Sequence, residues 1–430
     1  MPQLPFISIP LDIPDVRIVQ TAITKVGEFI LTVESTLTST TCRHGGRIIT
    51  ELHGIDQPRL LRHRSILDRP VYLRIRPQRF RCPWCADHPT TTQQLDWYDP
   101  NALHTNAYEQ HLIMQLINST LTDVTEKEDV SSAALLGILD RWIATTVDWD
   151  ALPAFAILGI AAIALTKGRR AYVAIITART ASGDLHVVAV LADRLKATIK
   201  AWLGALPRAI RAGITTVCTD MWDGYVRAVA AVLPTATIVV DRFHVACHYR
   251  EALDTLRKPE VRRLRKELPV EQHDAVTHIM WRLRKQPADL TADEQQQLAT
   301  LFPLRPALQQ ASTLREQLTR IFDTARSKAD GLRRIRFWRQ RMERSGRSCF
   351  DPFLKLRDTW LDRSANYCIN RATSGFVEGL NNKRKVLKRR CYGLRNVGRL
   401  FQRLTLDVDG YRRFSPWRAT TTSRAAHGNS

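Results

Sequence analysis

No stretch of this sequence is apolar for long enough to cross a bilayer. The longest such run, Ala154 to Leu165, falls well short of the roughly 20 residues a membrane helix needs. The opening MPQLPFISIPLDIP lacks a basic start and is broken by prolines, so it does not read as a secretory signal. A soluble, cytoplasmic protein is expected. Cysteine is sparse as well, with 8 in 430 residues, which excludes a disulfide-stapled scaffold. Acidic residues are in deficit, 42 against 64 Lys and Arg, for a formal net charge of +22. Such a balance points to a polyanionic partner, nucleic acid in preference to an anionic membrane surface. Apolar residues make up 44%, enough for folded cores in two or three domains.

What cysteine there is in the amino-terminal third is patterned. Cys82 and Cys85 form CPWC after the alternating stretch VYLRIRPQRF, and Cys42 and His44 lie upstream in TCRHGG. Two ligand pairs on turns between strands is the layout of a zinc ribbon. The first pair is spaced more tightly than C-x-x-C, so His53, His63 or His88 is an alternative fourth ligand, and two buried thiols on a turn are the reading without metal. Beyond Asn101 the apolar period turns helical in AYEQHLIMQLINST and again in SSAALLGILDRWIATTV, where Ser131 or Ser132 is the candidate cap. With TDVTEKEDV as a polar link, these segments suit a helix-turn-helix or an ordinary helical hairpin.

After Pro153 three apolar or β-branched runs, AFAILGIAAIAL, AYVAIITA and LHVVAVL, read as a meander. A helix over 194–206, the strand ITTVCT, the helix GYVRAVAAVL and the strand ATIVVD follow. The order β-β-β-α-β-α-β is that of an RNase H-like α/β core. Asp220 and Asp241 stand at strand ends, where side chains meet the ligand crevice of a mixed sheet and paired carboxylates hold divalent ions. Singly, each is an ordinary turn former. His244 reads first as a packing or hydrogen-bonding neighbour of Asp241.

From His244 to Ser364 the chain is helical and rich in Arg and Lys, with Trp281, Trp338 and Trp360 interleaved. It reads as an all-α insertion with aromatic residues in its core and a basic face for DNA, or as a solvated bundle. The stretch TSGFVEGLNNKRKVLKRRCYGLRN then places Glu378 in the first turn of a basic helix. Asn381, Asn382, Lys385, Lys388 and Arg389 fall near the Glu378 face, with Lys383 and Arg390 in the same run. An acid able to hold a cation therefore stands at one end of a ladder able to grip phosphates.

The CPWC pair, LGIAAIALTKGRR, CTDMWDGYVRAVAAVLPTATIVVDRFHV and SGFVEGLNNKRKVLKRRCYGLRN together resemble the IS-L-three family of insertion-sequence transposases, over roughly Cys42 to Gly410. The resemblance implies a DDE transposase that binds terminal inverted repeats and, with two Mg²⁺ ions, cuts and joins DNA. It implies a zinc-ribbon domain over 1–95 with Cys42, His44, Cys82 and Cys85 on Zn²⁺, and a helix-turn-helix over 96–152. The core would occupy 153–248 and 366–412 around a helical basic insertion at 249–365, with a disordered tail at 413–430. Terminal repeats and target DNA are the implied partners, and a homodimer is expected because two ends must be joined.

Within that resemblance Asp220 and Glu378 match the second and third acids of the triad, as catalytic residues and Mg²⁺ ligands. The first acid would fall in the first strand, where the family has GID followed by another acid. Here the run is Gly159, Ile160, Ala161, Ala162. Asp148, Asp150 and Asp184 lie nearby but not at the matching position. Methyl groups coordinate no cation, so the expected chain binds DNA ends without efficient cleavage. The paired alanines look like a deliberate knock-out rather than a lineage that has lost activity. A non-enzymatic DNA-binding regulator and a structure-specific RNase H-like nuclease are the competing functions.

Overall fold

The structure, a computed structural model, describes residues 11, 13–164, 172–240, 242–267, 269, 273–370 and 396–415. The chain forms two compact units, Met1–Trp142 with Gly410–Ser430, and Ile143–Asp409. Glu378, the basic residues Lys383, Lys385, Lys388, Arg389 and Arg390, and Asp241 all lie outside the described residues.

Among the described residues the first unit opens with nine strands, β1 (Val16–Ile23), β2 (Phe29–Ser35), β3 (Thr40–Thr41), β4 (Ile48–Ile49), β5 (Glu51–Ile55), β6 (Arg59–Ile66), β7 (Arg69–Ile75), β8 (Gln78–Arg81) and β9 (Thr90–Thr92). They pair as β1-β2-β7-β6, β3-β4 and β5-β8-β9. Alternation decides the core of the larger sheet: Leu31, Val33, Leu61, Val71, Leu73 and Ile75 point to one side and pack with Trp97 and Tyr98.

Three helices follow, α1 (Asn106–Leu116), α2 (Leu121–Glu128) and α3 (Ser132–Trp142). The polar stretch expected to be a link is thus mostly helix α2. Its cause is a capping box: Thr120 accepts from the Asp123 N–H at 2.9 Å while the Asp123 carboxylate accepts from the Thr120 N–H at 3.3 Å. Ser131 caps α3 through the Ala134 N–H at 3.1 Å. Buried Glu109 of α1 accepts from Trp142 Nε1 at 2.8 Å and pairs with Arg141, so its charge is not left uncompensated.

The second unit is built on a mixed sheet of β10 (Phe155–Ala164), β11 (Tyr172–Thr180), β12 (Leu185–Leu191), β13 (Thr216–Thr219) and β14 (Thr237–Val240). Its order is β12-β11-β10-β13-β14. The first three strands are antiparallel neighbours, and β13 and β14 join in parallel. Every strand read from the sequence is present. Helices α4 (Lys196–Ala205), α5 (Arg208–Gly213) and α6 (Asp223–Val232) connect β12, β13 and β14. Helices α4 and α6 cover one sheet face, where Leu158, Ile160 and Val217 meet Ile199, Leu203, Tyr225 and Val229.

Helix α7 (Arg242–Glu267) and the last helix, Val397–Phe414, serve the opposite face. There Val173, Ile175 and Val187 meet Leu400, Phe401 and Leu404, and Cys218 and Val239 meet Val245 and Tyr249. The last helix runs on to Phe414, past the expected start of the tail at 413, and residues 416–430 lie outside the described set.

Between α7 and residue 370 the chain is helical as expected: α8 (His273–Val276), α9 (Ile279–Arg282), α10 (Ala292–Leu304), α11 (Pro306–Thr324), α12 (Lys328–Arg344), α13 (Asp351–Ala365) and α14 (Tyr367–Asn370). Trp338 and Trp360 are buried, but Trp281 is 57% exposed and is no part of the core. Trp281 sits on a single helical turn, with the Arg284 guanidinium over its ring.

Candidate active site and metal centre

Asp220 follows the last residue of β13, so its position is fixed by a strand whose four residues are all buried. The β10/β13 register runs from Ile157 opposite Thr216 to Ile160 opposite Thr219. One step further along both strands sets Ala161 opposite Asp220. Alternation places both on the α7 face, since Asp220 shares the parity of Cys218 and Ala161 that of Gly159, the partner of Cys218. Ala161 is fully buried. Ala162 turns the other way and packs with the α4 and α6 side.

Both oxygens of Asp220 are engaged. Oδ1 lies 2.7 Å from Nε2 of His244, in the first turn of α7, and Oδ2 accepts from the Ala162 N–H at 3.3 Å. His244 was expected beside Asp241; its described carboxylate partner is Asp220. Three further residues escaped the sequence reading. Arg194 stacks over Tyr172 at 3.9 Å and over half-exposed Trp222 at 4.2 Å, which brings a cation to the residue two beyond Asp220. The nearby acids do not replace a missing ligand. Asp148 caps a turn by accepting from the Asp150 and Ala151 N–H groups, and Asp184 accepts from Ser182 Oγ in the β11/β12 turn.

Of the candidate metal ligands, Glu378 and Asp241 lie outside the described residues. Among the described residues a single strand-end carboxylate, Asp220, faces this corner, and the neighbouring position, Ala161, offers a methyl group. Two divalent ions need several converging oxygen ligands.

The amino-terminal unit brings together Cys42, Cys82 and Cys85, with their Sγ atoms all within 4.8 Å of one another. A tetrahedral zinc with bonds of about 2.3 Å sets its sulfurs about 3.8 Å apart; the Cys42 and Cys85 sulfurs are 3.8 Å apart. The donor set therefore fits zinc. His44 does not join it: its exposed ring accepts from Arg43 Nε at 3.1 Å. The position a C-x-x-C pair would use is Gly45. Its N–H points at Cys42 Sγ at 3.4 Å, and a Cβ there would meet Cys85 Sγ at 2.9 Å, so a larger residue would displace that sulfur. N–H donors of Gly45 and His44 pull the Cys42 thiol down to about 7, while the thiol of Cys82, with burial adding, pushes Cys85 up to about 11. Of the alternative ligands, His63 is buried against Thr105 Oγ1 at 2.9 Å, and His88 Nδ1 bonds the Cys82 carbonyl at 3.1 Å.

The DDE transposase model of the IS-L-three type matches residues 158–404, more than half of the chain. The chain belongs to this family of transposases. Membership implies divalent-metal chemistry for the family. The IS-L-three chain is 28% identical over 218 residues to the transposase for insertion sequence element IS1001 of Bordetella parapertussis, covering 50% of this chain and 53% of that protein. It is 25% identical over 369 residues to the transposase for insertion sequence element IS1557 of Mycobacterium tuberculosis, covering 81% of each. The match thus spans about half the length of the first relative. Among solved structures, the Drosophila P element transposase strand transfer complex is similar with a TM-score of 0.37 and 12% identity, over 70% of this chain and 91% of that one. No helix among the described residues is long and apolar enough to cross a membrane.

Proposed function

We propose that this IS-L-three transposase binds the terminal inverted repeats of an insertion sequence and is impaired in cutting and joining them. The observation that carries the impairment is Ala161, next in register to Asp220 on one sheet face, at the position where the family has its first acid. Asp220 and Glu378 are the second and third acids of this reading. Supporting an RNase H-like core is the sheet order of three antiparallel strands continued by two parallel ones. In this chain the described partners of Asp220 are His244 and the β10 backbone, and we derive no metal-dependent step.

On the recognition side, the three-sulfur cluster is read as a structural zinc site, and α2 and α3, joined by a turn in which Asp129 has φ of 51°, as a helix-turn-helix. The basic run from Lys383 to Arg390 would grip phosphates, and two chains would hold two ends. A competition assay tests the reading. Terminal-repeat duplex should displace labelled end DNA better than scrambled duplex or a four-way junction, with or without Mg²⁺, and the affinity should fall steeply with salt because many cations meet phosphate. Preference for the junction would favour a structure-specific nuclease and overturn it.

A further inference from the structure

Helices α11 and α12 of the insertion flank an open groove of about 520 Å³, within the size range of small-ligand sites. Its floor is buried Trp338, whose Nε1 is already spent on the Leu314 carbonyl at 2.8 Å. Its wall carries Phe337, 61% exposed, and its rim four arginines, Arg320, Arg333, Arg334 and Arg341. Helical spacing explains the grouping, because positions 334, 337, 338 and 341 follow at steps of three and four on one side of α12. Two of the four cations are engaged: Arg333 and Arg334 both reach Asp330, and Arg334 also donates to Thr324. No acidic partner is seen for Arg320 or Arg341 among the described residues.

A lone exposed phenyl ring needs no explanation. One that lines a groove with two guanidinium groups for which no acidic partner is seen among the described residues has a specific chemistry: an aromatic face for a base and two donors for phosphate. A paired duplex does not present that combination, since its base faces are covered by stacking and only base edges and the backbone are exposed. We propose that this groove captures an unpaired nucleotide of the bound DNA, its base stacked on Phe337 and its phosphates held by Arg320 and Arg341. The proposal rests on the DNA-binding reading above and adds to it a site selective for single-stranded DNA.

The test is fluorescence anisotropy of the full chain on end DNA that is either blunt or carries a short single-stranded extension, with dTMP and inorganic phosphate as competitors. The wild-type chain binds the extended form more tightly. Phe337→Ala removes roughly 5- to 100-fold of that preference and leaves blunt binding unchanged, while Phe337→Trp retains it. Arg320→Ala with Arg341→Ala weakens the extended form and lowers its salt slope by about 1.4. Equal affinity of the wild-type chain for both forms overturns the proposal, as does a Phe337→Ala chain that still prefers the extension. Inorganic phosphate competing as well as dTMP also overturns it, since the ring would then add nothing. Failure of the wild-type chain to bind any DNA overturns the DNA-binding reading itself, a different result from loss of the preference alone.

Discussion

At the scale of single residues, environment decides what each group can do. Asp220 is an acid at a strand end, and its oxygens meet His244 Nε2 and the Ala162 N–H. Asp220 and the alanine pair were legible in the sequence, because a strand-end acid and a broken motif are local patterns. The His244 contact was not, since it depends on how α7 leaves the sheet. His63 offers a pH test. Burial, with Arg64 adding, holds its imidazole down to about 4 from an ordinary 6.5. Between those values the unfolded chain binds the extra proton, so stability present above 6.5 is lost as pH falls through that window. The amino-terminal unit should lose about 2 kcal/mol between neutral pH and about pH 5. Thermal melts of wild type and His63→Gln check this: the variant should show a smaller acid-induced drop in Tm, and an equal drop would contradict the assignment.

At the scale of elements, the strands of the sheet unit were readable, while most amino-terminal strands and the short polar helix α2 were not. β10 to β14 follow from runs of Val, Ile and Ala bounded by turn residues. Helix α2 has one buried residue, Val124, so it gives no apolar stripe and depends on its cap. Replacing Thr120 by Ala should therefore destabilise the amino-terminal unit by about 1 kcal/mol, read as a lower Tm with α1 and α3 retained in circular dichroism. An unchanged Tm would mean that packing alone holds α2. The C-x-H spacing misled for a related reason: the turn at Gly45 is shaped by N–H groups pointing at sulfur, which residue types do not announce.

At the scale of the whole molecule, charge and cysteine pattern pointed to a DNA partner and a metal, and the three sulfurs of Cys42, Cys82 and Cys85 did meet. Binding free energy at a structural zinc site is folding free energy. A chelator, or Cys82→Ser, should thus lower the melting transition of the amino-terminal unit and leave that of the sheet unit in place. A single transition, unmoved by chelator, would contradict the zinc reading.

The most direct measurement of the central claim is Mg²⁺-dependent cleavage and strand transfer on terminal-repeat DNA, with the chain as it stands compared with Ala161→Asp and with Ala161→Asp plus Ala162→Glu. The register predicts binding without cutting for the alanine chain, and cutting that appears once an acid stands at 161. No recovery in either variant would favour a DNA-binding regulator. Robust cleavage by the alanine chain would contradict the account.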